Sequence, residues 1–413
     1  MKIQRAYRTE LDPNNEQRTA LLRHAGAARW AYNYGLRRKI DVYKETGRSP
    51  SAIDLHRELN ALKRKPVEEG GVPWMYEVSK AAPQEALRHL DRAFEHFFRR
   101  CKNGAKIKGF PRFKSRKRGV GGFRLTGAIR ATFSHVQLPR LGSLRLKENG
   151  YLPTTDREDV KVLSASVSEK AGRWFVSLQV EQEVPEPVPT AEQVVGVDVG
   201  VRSLAITSDG EVFENPKALR GAEGRLRMLQ KSVSRKVGGS KNRQKAVAKV
   251  ARQHYRLSCV RKDAIHQATS AITKSASVIV LESLNLAGML GNRCLSKALS
   301  DASLAELHRQ LDYKARWRGV GVIRADHWFP SSKRCSSCGA VKTKLGLGER
   351  EYVCDVCGVV LDRDINAALN LKQLTGSSPV TACGEASSGS GREIRAKLAS
   401  LKQEPNTRVG RCA

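Results

Sequence analysis

Apolar and polar residues along this chain fall into patterns that predict its elements before any chemistry is considered. The densest apolar run, Val194 to Gly210, reads as a buried strand carrying one acid, Asp198, then a glycine turn and a second apolar strand closed at Asp209-Gly210, a hairpin. Ser277 to Leu284 is another apolar strand, ending in the carboxylate Glu282, and Val320 to Ala325 is a third. Helical spacing of Leu21, Leu22, Ala25, Ala28, Tyr32 and Leu36 predicts a helix from about 16 to 39, opened by Asp12-Pro13-Asn14. Leu87, Leu90, Ala93, Phe94, Phe97 and Phe98 do the same for 84 to 100, and further helices are expected over 51 to 64 and 301 to 318. Residues 216 to 276 predict two long helices broken at Gly238-Gly239-Ser240. Short alternating runs between 121 and 186, such as Trp174 to Val180, predict a small β domain that the strand Ile3 to Leu11 completes, with the helical segment inserted between them. Pro185, Pro187 and Pro189 form a stiff linker.

Charge changes this picture. With 413 residues the chain is long enough for two or three domains, and 74 basic residues face 41 acidic ones, a net charge of +33. Self-repulsion on that scale calls for a polyanionic partner, and nucleic acid fits. A membrane role is disfavoured, because no apolar run approaches the roughly 20 residues of a spanning helix; a cytoplasmic, nucleoid-associated protein is expected. The basic residues concentrate. Arg99, Arg100, Lys102, Lys106, Lys108, Arg112, Lys114, Arg116, Lys117 and Arg118 occur without an acid among them, with Phe110 and Phe113 interleaved as surfaces on which bases could stack. Lys231, Arg235 and Lys236 head a second basic stretch, reading either as a phosphate-binding face or as an ordinary charged exterior. The aromatics of Ala28-Arg29-Trp30-Ala31-Tyr32-Asn33 read as core packing.

Two constellations carry chemistry. Cys335, Cys338, Cys354 and Cys357 form two Cys-x-x-Cys pairs with the spacing of a structural four-thiolate zinc ribbon, the glycines at 339 and 358 allowing each knuckle to turn; disulfides or a redox site are the competing readings. An unpaired Asp198 inside an apolar strand would be costly, so it should meet a metal, a cation or hydrogen-bond donors. Glu282 reads alone as a strand-end surface residue and Asp364 as a cap for the helix Ile365 to Leu374. Together the three acids have the distribution with which an RNase H-like domain holds two magnesium ions for phosphodiester hydrolysis.

The sequence resembles the TnpB (OrfB) family of insertion-sequence proteins, related to type V CRISPR effector nucleases. The resemblance runs to about residue 374 and rests on Ala28 to Asn33, Gly109-Phe110-Pro111-Arg112-Phe113, Gly196-Val197-Asp198-Val199-Gly200, Phe329 to Cys335, and Asp362-Arg363-Asp364-Ile365-Asn366-Ala367-Ala368-Leu369-Asn370. It implies an α+β multidomain chain: a β-barrel wedge domain (1–12 and 119–186), an inserted helical recognition domain (13–118), and an RNase H-like (RuvC) nuclease domain (187–331 and 360–374). A four-cysteine zinc ribbon (332–359) would be inserted in the last of these, and a disordered tail (375–413) would follow. It implies RNA-guided cleavage of double-stranded DNA beside a short target-adjacent motif by a monomer whose guide RNA comes from the transposon end. Asp198, Glu282 and Asp364 would be the catalytic, magnesium-binding triad, and Lys80 and Gln84 would contact the adjacent motif, with Pro83 near a helix start. Where relatives usually have an acid after the second catalytic residue, this chain has Ser283. A DNA transposase and a non-cleaving RNA-guided repressor are the alternatives.

Overall fold

The structure, a computed structural model, describes residues 2–346 and 348–375, apart from the side chain of Arg118. The expectations for the Arg118 side chain and for the tail beyond Thr375 lie outside the described residues. The chain divides into two compact units, the first ending at Val184 and the second beginning at Pro185.

In the first unit, β1 (Lys2–Leu11) leads into α1 (Asn15–Thr46), α2 (Ala52–Arg64) and α3 (Ala81–Lys102). Asn14 and Gln17 form a capping box at the start of α1, and Ser51 and Asp54 form another for α2, so orphan amide groups at both helix starts are satisfied by residues three apart. Two expected boundaries are corrected. α1 runs seven residues past 39, where apolar periodicity ends but polar helix formers continue to the left-handed cap at Gly47. α3 starts at Ala81, which places Pro83 in the first turn, where its missing N–H leaves no bond unmade.

The strands follow as β2 (Gly122–Leu125), β3 (Arg130–Ala131), β4 (His135–Leu138), β5 (Gly142–Arg145), β6 (Val160–Lys170) and β7 (Arg173–Glu183). β1 pairs antiparallel with β7 along its whole length, from Lys2 opposite Glu183 to Leu11 opposite Trp174, in a sheet ordered β1-β7-β6-β2. β3, β4 and β5 make a separate three-stranded sheet, linked to the end of β1 by a bridge between Leu11 and Leu146. One continuous core joins Leu21, Leu36, Leu87 and Leu90 from the helices to Leu125, Val176 and Leu178 from the strands.

The second unit is built on a five-stranded sheet of order β10-β9-β8-β11-β12, formed by β8 (Val194–Asp198), β9 (Ser203–Thr207), β10 (Val212–Glu214), β11 (Val278–Leu281) and β12 (Gly321–Arg324). β8, β11 and β12 run parallel, and β9 and β10 are antiparallel additions. Between β10 and β11 lie α4 (Ala218–Ser234) and α5 (Lys241–Ser275). The segment between β11 and β12 holds α6 (Leu286–Gly291), α7 (Ser296–Ala302) and α8 (Leu304–Arg318). The single helix expected over 301 to 318 is thus two, divided at Ser303, which takes a left-handed φ of 55°. Its core gathers Val195, Val197, Ile272, Ile279, Leu281, Leu307 and Leu311. Beyond β12 come the cysteine pairs, the hairpin β13 (Glu351–Val353) and β14 (Val360–Asp362), and α9 (Arg363–Gln373).

Candidate active site and nucleic-acid surfaces

Three elements bring the three acids to one end of the sheet. β8 and β11 are parallel neighbours with Val197 opposite Leu281, so the next residues are adjacent, Asp198 as the last residue of β8 and Glu282 just past the end of β11. α9 supplies the third. It packs against β8 at Gly196, where a Cβ would lie 2.0 Å from the Ala368 carbonyl oxygen and 2.6 Å from the Lys372 amide nitrogen. Only a residue without a side chain lets the helix approach so closely.

The capping reading of Asp364 is overturned by its neighbour. The Asp362 carboxylate accepts from the amides of Asp364 (2.9 Å) and Ile365 (3.2 Å), so Asp362 is the cap and Asp364 stands in the first turn, outside the cap. Its charge reaches Asp198. Burial raises the Asp198 carboxyl well above the ordinary range, and the negative charges of Glu282, Asp364 and Asp362 raise it further, with Arg363 the opposing influence. The cluster therefore carries negative charge that its own surroundings do not balance, the condition a cation relieves.

Sequence reasoning missed the residues that hold this arrangement. Ser331 is buried, and its hydroxyl donates to Glu282 Oε1. Asn370, on the buried face of α9, donates to the carbonyls of Ser331 (2.8 Å) and Arg334 (2.6 Å). Asn366, one turn earlier, donates to Arg334 O (2.7 Å) and accepts from Ser336 N (3.0 Å). Two motifs that looked separate in sequence, Phe329 to Cys335 and Asp362 to Asn370, are thus two halves of one hydrogen-bonded joint. Their asparagines were the available signal, since a buried amide needs partners. Ser283 donates to Ala325 O (2.6 Å), tying the end of β11 to the residue after β12.

The four cysteines meet as spaced. Among the described residues they are the one group of metal-ligating side chains whose ligand atoms all lie within 4.8 Å of one another; the three carboxylates are not drawn in so closely. Sγ atoms of Cys335 and Cys357 are 3.6 Å apart and those of Cys338 and Cys354 3.5 Å, and all four are free thiols. Tetrahedral coordination with metal–sulfur bonds of about 2.3 Å would set such pairs at roughly 3.8 Å. Each knuckle closes through a glycine amide, Gly339 to Cys335 O and Gly358 to Cys354 O, both 3.0 Å, with left-handed φ values of 80° and 71°. Amides of Cys357 and Val356 directed at Cys354 pull its thiol down to about 6, whereas Cys338, against the opposing Ala340 amide, is pushed up to about 12 by desolvation and by the other three thiols, so the shared proton load is one a metal would displace. The cluster can hold a metal ion such as zinc.

The expected nucleic-acid residues divide among three surfaces. Lys80 and Gln84, one turn apart at the start of α3, line a groove of about 850 Å³ with Gln137 and Arg140. Arg99, Arg100, Lys106, Lys108, Arg112, Arg116 and Lys117 are all exposed on the end of α3 and the loop after it. Lys114 is exposed too, yet its ammonium lies 3.9 Å from the centre of the Tyr32 ring. Asn33 clamps that loop, donating to Lys114 O (2.9 Å) and accepting from Lys114 N (2.8 Å). Phe110 packs edge-on to Phe94 (5.5 Å) and Phe97 (5.3 Å). Tyr32 is buried and Trp30 stacks on Tyr34, in keeping with a packing role for those aromatics. Lys231, Arg235 and Lys236 line a separate groove on α4 and just beyond it, with Arg227 and Met228.

Comparison with known proteins follows this geometry. A family profile described as "Probable transposase" matches residues 177–293, one described as "Cas12f1-like, TNB domain" matches 305–371, and a "Helix-turn-helix domain" matches 1–48. A Streptomyces pristinaespiralis protein carrying the words RNA-guided DNA endonuclease in its name is 37% identical over 408 residues, 98% of this chain and 97% of that protein. Escherichia coli InsQ, with the same words in its name, is 30% identical over 430 residues, 99% of both chains. Among solved structures, a Cas12f1-sgRNA-target DNA complex matches 90% of this chain and 100% of its own with 16% identity and a TM-score of 0.34, too distant a likeness to bear on function.

Proposed function

The chain belongs to the TnpB (OrfB) family, and from that premise we propose that it is an RNA-guided DNA endonuclease cutting target DNA beside a short target-adjacent motif. The observation that carries the reading is the convergence of Asp198, Glu282 and Asp364, from two parallel strands and one helix, where burial and then the charges of the other two raise the Asp198 carboxyl well above its ordinary range. Such unbalanced charge fits magnesium, two ions of which would supply Lewis acidity to phosphodiester hydrolysis. The strand order supports an RNase H-like, RuvC-type domain, and the first unit supports a wedge domain with an inserted recognition domain. Within the site, Ser331 orients Glu282 and the docking of α9 against Gly196 sets the position of Asp364. Zinc on the four cysteines would fix the joint that Asn366 and Asn370 of α9 make with the Ser331–Ser336 segment.

Guide pairing would read sequence, while Lys80 and Gln84 would contact the adjacent motif in their groove and the basic surfaces would follow phosphates. The guide RNA is expected from the end of a bacterial transposon and the protein is expected to act as a monomer in the cytoplasm. The test is to purify the protein with RNA transcribed from the end of its gene, sequence the RNA that copurifies, and challenge the complex with a target library of randomised flank. Magnesium-dependent cutting beside one enriched motif, abolished by Asp198→Ala, Glu282→Ala or Asp364→Ala with RNA copurification intact, is the expected result. Undiminished cutting by those variants would overturn the triad. Motif-specific retention of uncut DNA would favour a repressor, and joining of transposon ends a transposase.

A further inference from the structure

We propose that Trp328 is a stacking platform for an unpaired base of the DNA strand that enters the carboxylate centre. The inference rests on the nuclease reading above and adds a binding position to it. It starts from the segment Asp326 to Ser331, which joins β12 to the cysteine pairs. This short stretch is fastened at almost every residue. The Asp326 side chain accepts from the Trp328 amide (2.8 Å) and its carbonyl from the Phe329 amide (3.1 Å), which makes a tight turn. His327 donates through Nδ1 to the Ser283 carbonyl (2.9 Å), the residue after Glu282. Phe329 packs with Val280, Ala325 and Leu371, and Ser331 donates to Glu282 itself while Asn370 holds the Ser331 carbonyl.

Trp328 sits at the apex of that turn and is 84% exposed, the most exposed large apolar side chain among the described residues. Its one ring neighbour among the described residues is His327, edge-on at 4.9 Å. With Phe329 anchored in the core and Asp326 closing the turn, the backbone cannot rotate to bury the indole. An aromatic displayed on an anchored backbone has only its two side-chain torsions to fix when a flat partner covers it.

A nucleobase fits this surface better than a protein does. Protein partners bury contiguous apolar patches, whereas here a single indole stands beside the exposed polar residues Asp326 and His327. A single ring is enough for one base, and stacking tolerates any base. The turn is also tied to Glu282 and Ser283, so a strand whose phosphate reaches the carboxylates runs past it. The chain's net charge of +33 favours that occupant as well.

The experiment uses the full-length protein, as purified with the RNA it carries and with Asp198→Asn to prevent cutting. It is irradiated with single-stranded DNA containing 5-iodouracil, and crosslinked peptides are sequenced. The expected result is a crosslink at Trp328 that disappears in Trp328→Ala. In protein with Asp198 intact, Trp328→Ala should lower the cleavage rate about tenfold to a hundredfold, the factor equivalent to losing one base stack, and Trp328→Phe should recover most of it. Crosslinks confined to other aromatic residues, such as Trp317, would overturn the proposal, as would Trp328→Ala cutting at the parental rate. If the parent cuts nothing, the nuclease reading fails, while the crosslink still decides whether Trp328 stacks on DNA.

Discussion

Replacing Gly196 with alanine adds a single methyl group and tests how the centre is assembled. The new Cβ would lie 2.0 Å from Ala368 O and 2.6 Å from Lys372 N, against 3.4 Å or more for ordinary contact, so the shorter approach is about 1.4 Å too close. Both obstructing atoms are backbone, and no side-chain rotation relieves them. α9 must move off β8 by about 1 Å or local packing must break, at a cost of about 1–3 kcal/mol for overpacking. For a folding unit of this size that lowers the melting temperature by roughly 2–12 °C. A displacement near 1 Å of an acid positioned for reaction costs about a hundredfold in rate. Urea denaturation and target-cleavage kinetics measure the two effects, with Gly221→Ala as control, because its Cβ would meet nothing within 4 Å. Gly196→Ala with parental stability and parental cleavage would refute the close-packing argument and the role given to α9.

Two further predictions test other parts of the chain. His308, buried beneath Arg324, has its pKa lowered to about 4, chiefly by burial and then by that guanidinium. Because the folded value is depressed, the stabilisation it gives is present above about 6.5 and is lost as pH falls from there toward about 4, an effect of roughly 2–4 kcal/mol. His308→Leu should flatten the denaturation midpoint over that interval, and an unchanged acid limb would contradict the assignment. Replacing Cys335 and Cys338 with serine should release the bound metal, detected by elemental analysis, and expose the 330–375 region to proteolysis; unchanged metal content would refute the four-thiolate site.

Much of this was legible in the sequence for local reasons. The apolar run of β8 ends in an acid and that of β11 is followed at once by one, and the cysteine spacing matches two knuckles, so residues near in sequence carry the whole signal. The cap of α9 was harder, because Asp362 and Asp364 are equivalent candidates until the backbone shows which one faces two amides. Ser331 was hidden for another reason: its partner Glu282 is distant in sequence, and a hydroxyl has no periodicity. The last turns of α1 escaped because they are held by backbone bonds and the Gly47 cap rather than by an apolar stripe.

The chain order of these parts also sets a timetable. Asp198 and Glu282 leave the ribosome first, then both cysteine knuckles, and Asp364 arrives only with α9. At roughly 5–20 residues per second, about ten to thirty seconds separate the first acid from the third. From Glu282 onward the nascent protein contains its basic helices and two of its acids but lacks the third. On the nuclease reading, a chain that stops between α5 and α9 would carry its basic helices without the full carboxylate set. If the three acids are the catalytic set, synthesis itself would act as a safety catch, released only when the helix after the second knuckle seats against Gly196.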